Sequence, residues 1–243
     1  MRFIKTDDYE GMSKAAAAIV TEQIKTKPSS VLGLATGGTP VRMYELLIKA
    51  YEKGELDFSQ ISTVNLDEYK GITRDNEQSY FYYMNERLWK HTNIDPKRTH
   101  VPDGMVADAE AVCLAYEQTI SDLGGIDLQI LGIGHNGHIG FNEPGDVFED
   151  RSFCVELSQA TINANQRFFA TADDVPKEAY TVGIGTIMSA AKIVVMISGE
   201  DKAAIVKEAF TGPVTPKVPA SILRFHRDVT VIGDAAALGL LPE

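Results

Sequence analysis

The sequence predicts an α/β fold with an open, mainly parallel sheet and helices on both faces. Short apolar runs alternate with longer amphipathic segments along the chain, which is the pattern of repeated strand–helix units. Two of these runs stop at glycine-rich turns, A-T-G-G-T-P after Leu34 and G-I-G-H-N-G-H-I-G-F-N-E-P after Leu131. With 243 residues and 44% hydrophobic content, the chain suits one large α/β domain, 1–243, with a substantial core.

Taken in order, Arg2 to Ile4 reads as a short strand. Asp7 or Asp8 caps a helix reaching about Lys25, through the Ala15 to Ala18 run of high helix propensity. Ser30 to Leu34 is a strand, and Pro40 suits the first turn of the helix that Val41 to Lys53 continues. Between them, Gly37, Gly38 and Thr39 form a strand–turn–helix junction whose free N–H groups favour an anion such as phosphate; a plain tight turn is the alternative. Ile61 to Leu66 is a strand that ends in Asp67-Glu68-Tyr69. Ligands gather beyond the carboxyl ends of parallel strands, so the paired carboxylates are either functional groups or a helix cap. Asn76 to Trp89 reads as an aromatic-rich helix packed on the sheet, and Ala107 to Leu123 as an amphipathic helix ended by Gly124-Gly125.

Leu128 to Leu131 is a buried strand, and the glycine loop after it carries Asn136, His138 and Glu143. Beyond it, Phe148 to Ala160 has no clear type, and N-A-N-Q-R-F-F places Arg167 in an apolar setting. A mobile lid is expected within 148–172. Thr181 to Ser189 starts a short helix, Lys192 to Ser198 is a strand, and Asp201 to Phe210 is a helix with Lys202 in its first turn, against the dipole preference for acids there. Pro219 to Phe225 is helical and Val229 to Ile232 a final strand.

Thirty-four acidic against 23 basic residues give a formal net charge of −11, which argues against a general nucleic-acid or anionic-membrane surface. Cys113 and Cys154 form neither a disulfide framework nor a zinc ribbon, so a reducing, cytoplasmic setting fits. No run is long enough to span a membrane, and the first residues do not resemble a secretory signal. His135, His138 and Glu143 invite a metal reading, but the interrupting glycines disfavour the helical spacing of zinc sites. Acid–base chemistry suits the loop better: a carboxylate beside His138 selects a tautomer and raises its pKa, while Asp67 acts as a second base. With Gly37 to Thr39, Arg167 and Lys202 as anion anchors, the residues suggest isomerisation of a small phosphorylated sugar.

Four motifs in this order, A-T-G-G-T-P, L-D-E-Y, G-H-N-G-H-I-G-F-N-E-P and N-Q-R-F-F, resemble the glucosamine-6-phosphate deaminase (isomerase) family. The resemblance runs from near Arg2 to the last strand. It implies a sugar-phosphate isomerase type of Rossmann-like fold, and conversion of glucosamine 6-phosphate and water to fructose 6-phosphate and ammonia without metal or organic cofactor. Asp67 is then the base that moves the C2 proton to C1. His138 opens the pyranose ring, oriented by Glu143 and Asn136, and Gly37, Gly38, Thr39, Arg167 and Lys202 hold the phosphate.

Two departures stand out. Many members of the family have aspartate where this chain has Asn136, so one charge of the ring-opening relay is missing. Allosteric members carry a basic, hydroxyl-rich effector segment after N-E-P; here Phe153 and Val155 replace two basic ligands and Asp146 a hydroxyl residue. The expectation is an unregulated enzyme acting on a small sugar phosphate, a monomer rather than a homo-oligomer, with no nucleic-acid or membrane partner. The rivals are a 6-phosphogluconolactonase-like hydrolase, disfavoured by L-D-E-Y and F-N-E-P, and a non-catalytic sugar-phosphate sensor, disfavoured by the retained Asp67, His138 and Glu143.

Overall fold

The structure, a computed structural model, describes residues 1–159, 162, 171 and 175–242. Seven strands form one sheet: β1 (Arg2–Thr6), β2 (Val31–Leu34), β3 (Ser62–Asn65), β5 (Thr99–His100), β6 (Leu128–Leu131), β9 (Lys192–Ile197) and β10 (Val229–Asp234). Their order is β1-β10-β9-β6-β2-β3-β5, and every pairing is parallel. Every residue of β2, β3, β6 and β10 is buried, as expected when both faces of a parallel sheet are covered. The core accordingly runs through the sheet, with Leu32, Leu128, Val195 and Val231 among its fully buried members.

Helices follow the strands. In α1 (Tyr9–Thr26) the cap is Asp8, whose carboxylate accepts the Gly11 N–H at 2.7 Å, an arrangement worth about 1 kcal/mol. Pro40 sits just outside α2 (Val41–Glu52) as its N-cap, one position before the expected first turn. α3 (Tyr80–Arg87) is shorter than predicted, because Ser79 caps it and accepts the Tyr82 N–H at 2.9 Å. α4 (Ala109–Asp122) packs against the small sheet described next, α5 (Ile184–Met188) is a short helix, and α6 (Ala203–Thr211) follows a 3-10 turn at Glu200–Lys202. Pro219–Phe225 is 3-10 helix.

A second, antiparallel sheet was not visible in the sequence pattern. It consists of β4 (Asp67–Tyr69), β8 (Glu178–Thr181) and β7 (Phe153–Glu156), in the order β4-β8-β7. What reads as the end of β3 is therefore a strand of its own, and of the stretch Thr181 to Ser189, expected to start a short helix, Thr181 closes β8 before the helix at Ile184–Met188. The first part of the expected lid is also sheet: β7 pairs with β8, and Ser152 bonds the Glu117 carboxylate through its N–H and its hydroxyl. Of the rest of 148–172, residues 160, 161, 163–170 and 172 lie outside the described residues.

The chain order places the site. From β2 the chain steps outward through β3 to β5, returns to β6 beside β2, and then steps the other way through β9 and β10. The reversal lies between β2 and β6, and at such a switch point the loops leaving the two strands part and open a crevice. Those loops are the two glycine-rich stretches.

Candidate active site

A cavity of about 360 Å³ opens at this crevice, lined by Thr36, Gly37 and Thr39 from the first loop, Ile133 to His135, His138, Gly140 and Phe141 from the second, and Asp67, Tyr80 and Lys202. Asp67 and Glu68 share β4, so their side chains leave opposite faces of the strand. Asp67 reaches the cavity. Glu68 instead accepts N–H bonds from Tyr80 at 2.9 Å, Phe81 at 3.0 Å and Tyr69 at 2.9 Å, anchoring the first turn of α3. The helix-cap reading of the acidic pair thus applies to Glu68, while Asp67 is the one that lines the cavity. Asp67 is only 7% exposed, and burial, reinforced by the neighbouring Glu68 charge, pushes its carboxyl up to about 8. Burial likewise raises Glu68 to about 7, against the pull of its three N–H donors.

The loop after β6 folds over itself to present His138. The Gly134 N–H donates to the His138 carbonyl at 2.9 Å, and the His138 ring lies so close over Gly134 that an added Cβ would come within 2.1 Å of it. Gly134→Ala is therefore expected to keep the fold but displace the imidazole by about 1 Å, lowering kcat on the order of 100-fold; a thermal melt beside steady-state kinetics separates the two effects. Further along, Gly140 has φ +57°, a conformation that favours glycine, and its missing side chain lets the loop approach Asp67: a Cβ there would lie 3.5 Å from Asp67 Oδ2. Two straps hold this approach. Phe141 N–H donates to Thr181 Oγ1 at 3.1 Å, and Asn142 Nδ2 donates to the carbonyls of Ile139 and Val182 at 2.9 and 2.8 Å. Thr181 is the cross-strand partner of Asp67, so one strand braces both Asp67 and the loop that carries His138.

Asn136 stands between the imidazole and the carboxylate. Its Nδ2 donates to Glu143 Oε2 at 2.6 Å, and its Oδ1 accepts the His138 N–H at 3.2 Å and lies 2.7 Å from His138 Nδ1. A carboxylate only accepts and a backbone N–H only donates, so these partners settle the amide orientation. His138 Nδ1 must then carry the proton it donates to Asn136, which leaves the Nε2 lone pair free for a substrate. Glu143 approaches Nδ1 to 3.7 Å, beyond hydrogen-bond distance. The expectation that a carboxylate raises the His138 pKa is corrected: burial lowers it, Lys202 and His135 add to the lowering, and Glu143 only opposes them. Burial thus favours the neutral imidazole.

On the anion side, Gly37 and Thr39 line the cavity, whereas Gly38 faces the neighbouring one beside Tyr83. Lys202 occupies the N-cap position of α6 without a side-chain cap bond; its Nζ donates to the Ile133 carbonyl at 3.0 Å and lies 3.2 Å from His135 Nδ1. Burial lowers its pKa, against the Asp201 charge. Arg167 lies outside the described residues. His135, read from sequence only as a metal candidate, pairs with Asp201 at 2.6 Å and lines the cavity. Among the described residues no group of three or more His, Cys, Asp or Glu is placed to hold a metal ion. Sequence reasoning also missed Tyr80 and Phe141 as cavity walls; their rings stack with centroids 6.1 Å apart. The aromatic run that contains Tyr80 was the available signal, but its spacing equally suits a core stripe.

This constellation has relatives. The family described as glucosamine-6-phosphate isomerases/6-phosphogluconolactonase matches residues 7–232. The chain belongs to this family. Within it, the glucosamine-6-phosphate deaminase of Clostridium perfringens (strain 13 / Type A) is 53% identical over 241 residues, covering 99% of this chain and 100% of the relative. A solved monomeric glucosamine-6-phosphate deaminase superposes with a TM-score of 0.95 at 47% identity, covering 99% of this chain and 100% of that one. The 6-phosphogluconolactonase from Leishmania guyanensis superposes with a TM-score of 0.79 at 22% identity, covering 100% and 99%, and shares the fold alone. The family thus contains both the expected activity and its closest rival, and the higher identity lies with the deaminases.

Proposed function

We propose that the chain is a glucosamine-6-phosphate deaminase, converting glucosamine 6-phosphate and water to fructose 6-phosphate and ammonia. The observation that carries this reading is the convergence on one cavity of a buried carboxyl, Asp67, and a neutral imidazole, His138, with a glycine turn and Lys202 at the rim. His138 Nε2 takes the proton of O1 and delivers it to O5, opening the pyranose. Asp67 takes the C2 proton and returns it to C1; a carboxyl whose pKa lies near the working pH can do both. Asn136 holds the ring and tautomer of His138 and couples it to Glu143. Gly37, Gly38, Thr39, Lys202 and Arg167 bind the phosphate. A lactonase needs a base for water but no second base for a carbon acid, which favours the isomerase reading of Asp67.

The same reading makes the enzyme unregulated and monomeric. Val155 packs towards the apolar cluster of Tyr69, Ile72, Phe141, Leu157 and Ala179, and Asp146 pairs with Lys217 at 2.6 Å, so neither offers a basic effector ligand. The relative described as monomeric supports the same state. Incubation with glucosamine 6-phosphate is expected to release ammonia and fructose 6-phosphate in equal amounts, with hyperbolic dependence on substrate that N-acetylglucosamine 6-phosphate leaves unchanged. Hydrolysis of 6-phosphogluconolactone without ammonia release from the amino sugar would overturn the assignment. Sigmoidal kinetics relieved by the acetylated sugar would overturn the unregulated reading alone.

A further inference from the structure

Three tyrosine hydroxyls converge on the glycine turn from three different helices. Tyr44 of α2 donates to the Ala35 carbonyl at 2.6 Å, Tyr83 of α3 to the Gly37 carbonyl at 2.6 Å, and Tyr9 of α1 to the Gly38 carbonyl at 3.1 Å. Tyr9 also accepts the Arg42 N–H at 3.2 Å, which ties it to the first turn of α2. In a trans peptide the C=O and the following N–H point in opposite directions. Holding the Gly37 and Gly38 carbonyls therefore also orients the N–H groups of Gly38 and Thr39. Among the described residues no acceptor meets either of these N–H groups.

The direction follows from the cavities. Gly37 separates the active-site cavity from the neighbouring one that Tyr83 lines, and its carbonyl is held on the Tyr83 side. The N–H groups of Gly38 and Thr39 then point away from the two tyrosine hydroxyls, and Thr39 itself lines the active-site cavity with Lys202. We propose that Tyr83 and Tyr9 are positioning residues for the substrate phosphate: their hydroxyls fix the turn so that its N–H groups form a preset anion cradle. The inference rests on the reading of the Gly37–Thr39 turn as the phosphate site. The mooring of α3 by Glu68 gives the clamp a second consequence, since the helix that carries Tyr83 is held by the residue next to Asp67. Phosphate grip and C2 base thus share one frame.

A turn that is already oriented pays no ordering cost when the anion arrives, so loss of the clamp weakens binding of a remote group without touching the reacting atoms. In Tyr83→Phe and Tyr9→Phe, KM for glucosamine 6-phosphate and the competitive inhibition constant of inorganic phosphate are each expected to rise roughly 3- to 10-fold, and more in the double variant, with kcat held within about twofold. Calorimetric titration with inorganic phosphate gives the same readout without turnover. Tyr9, on the outer side of the turn, supplies the test should Tyr83→Phe not fold. Thr39→Val and Lys202→Met are measured in parallel. If these two weaken phosphate binding while both tyrosine variants keep wild-type values, the clamp is refuted and the phosphate site stands. If neither pair of variants changes phosphate binding, the turn is not the phosphate site and both readings fall.

Discussion

Replacement of Asp67 by asparagine is expected to lower kcat by roughly 10³-fold, with glucosamine 6-phosphate still bound, because the amide keeps the shape of the carboxyl but cannot move the C2 proton. The same variant should melt at a higher temperature near neutral pH. With its folded pKa of about 8 well above the ordinary carboxyl value, Asp67 binds its proton more tightly in the native than in the unfolded chain. Its contribution to stability is complete below the unfolded pKa of about 4 and is lost as the pH rises towards 8. Asparagine has no such loss, so its advantage should grow between pH 5 and pH 8, by several degrees of Tm. The rate follows the opposite sense: kcat/KM of the wild type should climb through about pH 8 as Asp67 ionises. Near-normal turnover of the variant would remove Asp67 from the mechanism, and a lower Tm at pH 8 would contradict the burial argument.

For His138→Gln the expected loss is roughly 10²-fold on the cyclic substrate, confined to ring opening. An open-chain analogue with the same phosphate and amine should escape most of it. On the acid side of the Asp67 inflection, a second one from His138 should lie below the ordinary histidine range, because burial disfavours the imidazolium and Glu143 only partly restores it. An equal loss on the open-chain analogue would show that His138 acts at a later step. If the inflection lost in His138→Gln lies above the usual histidine range, the carboxylate, and not burial, governs the ring.

Much of this site was legible along the chain because its parts are local. The glycine turns announce themselves by composition, and Asn136, His138 and Glu143 are close enough in sequence to meet through one loop. The parallel sheet followed from apolar runs of strand length separated by amphipathic helices. The small antiparallel sheet did not, since β4 is only three residues long and its partner β8 lies more than a hundred residues away. Periodicity cannot mark a strand that short. Tyr80 and Tyr83 were read as an aromatic stripe for the same reason: helical spacing says which residues share a face, not whether that face meets a sheet or a cavity.

The sequence by itself determined the α/β class, the two loops at the crevice, the residue types able to move protons and the family to which they point. Those are local properties of pattern and spacing, and they survive in any reading of the chain. Only the tertiary structure decided the division of labour between Asp67 and Glu68, because strand pairing with β8 sends one side chain into the cavity and the other to α3. It also reversed the expected pKa shift of His138, put an amide between that ring and Glu143, and set three tyrosine hydroxyls on the glycine turn. Burial, dielectric and contacts across long sequence separations exist only once the chain is packed.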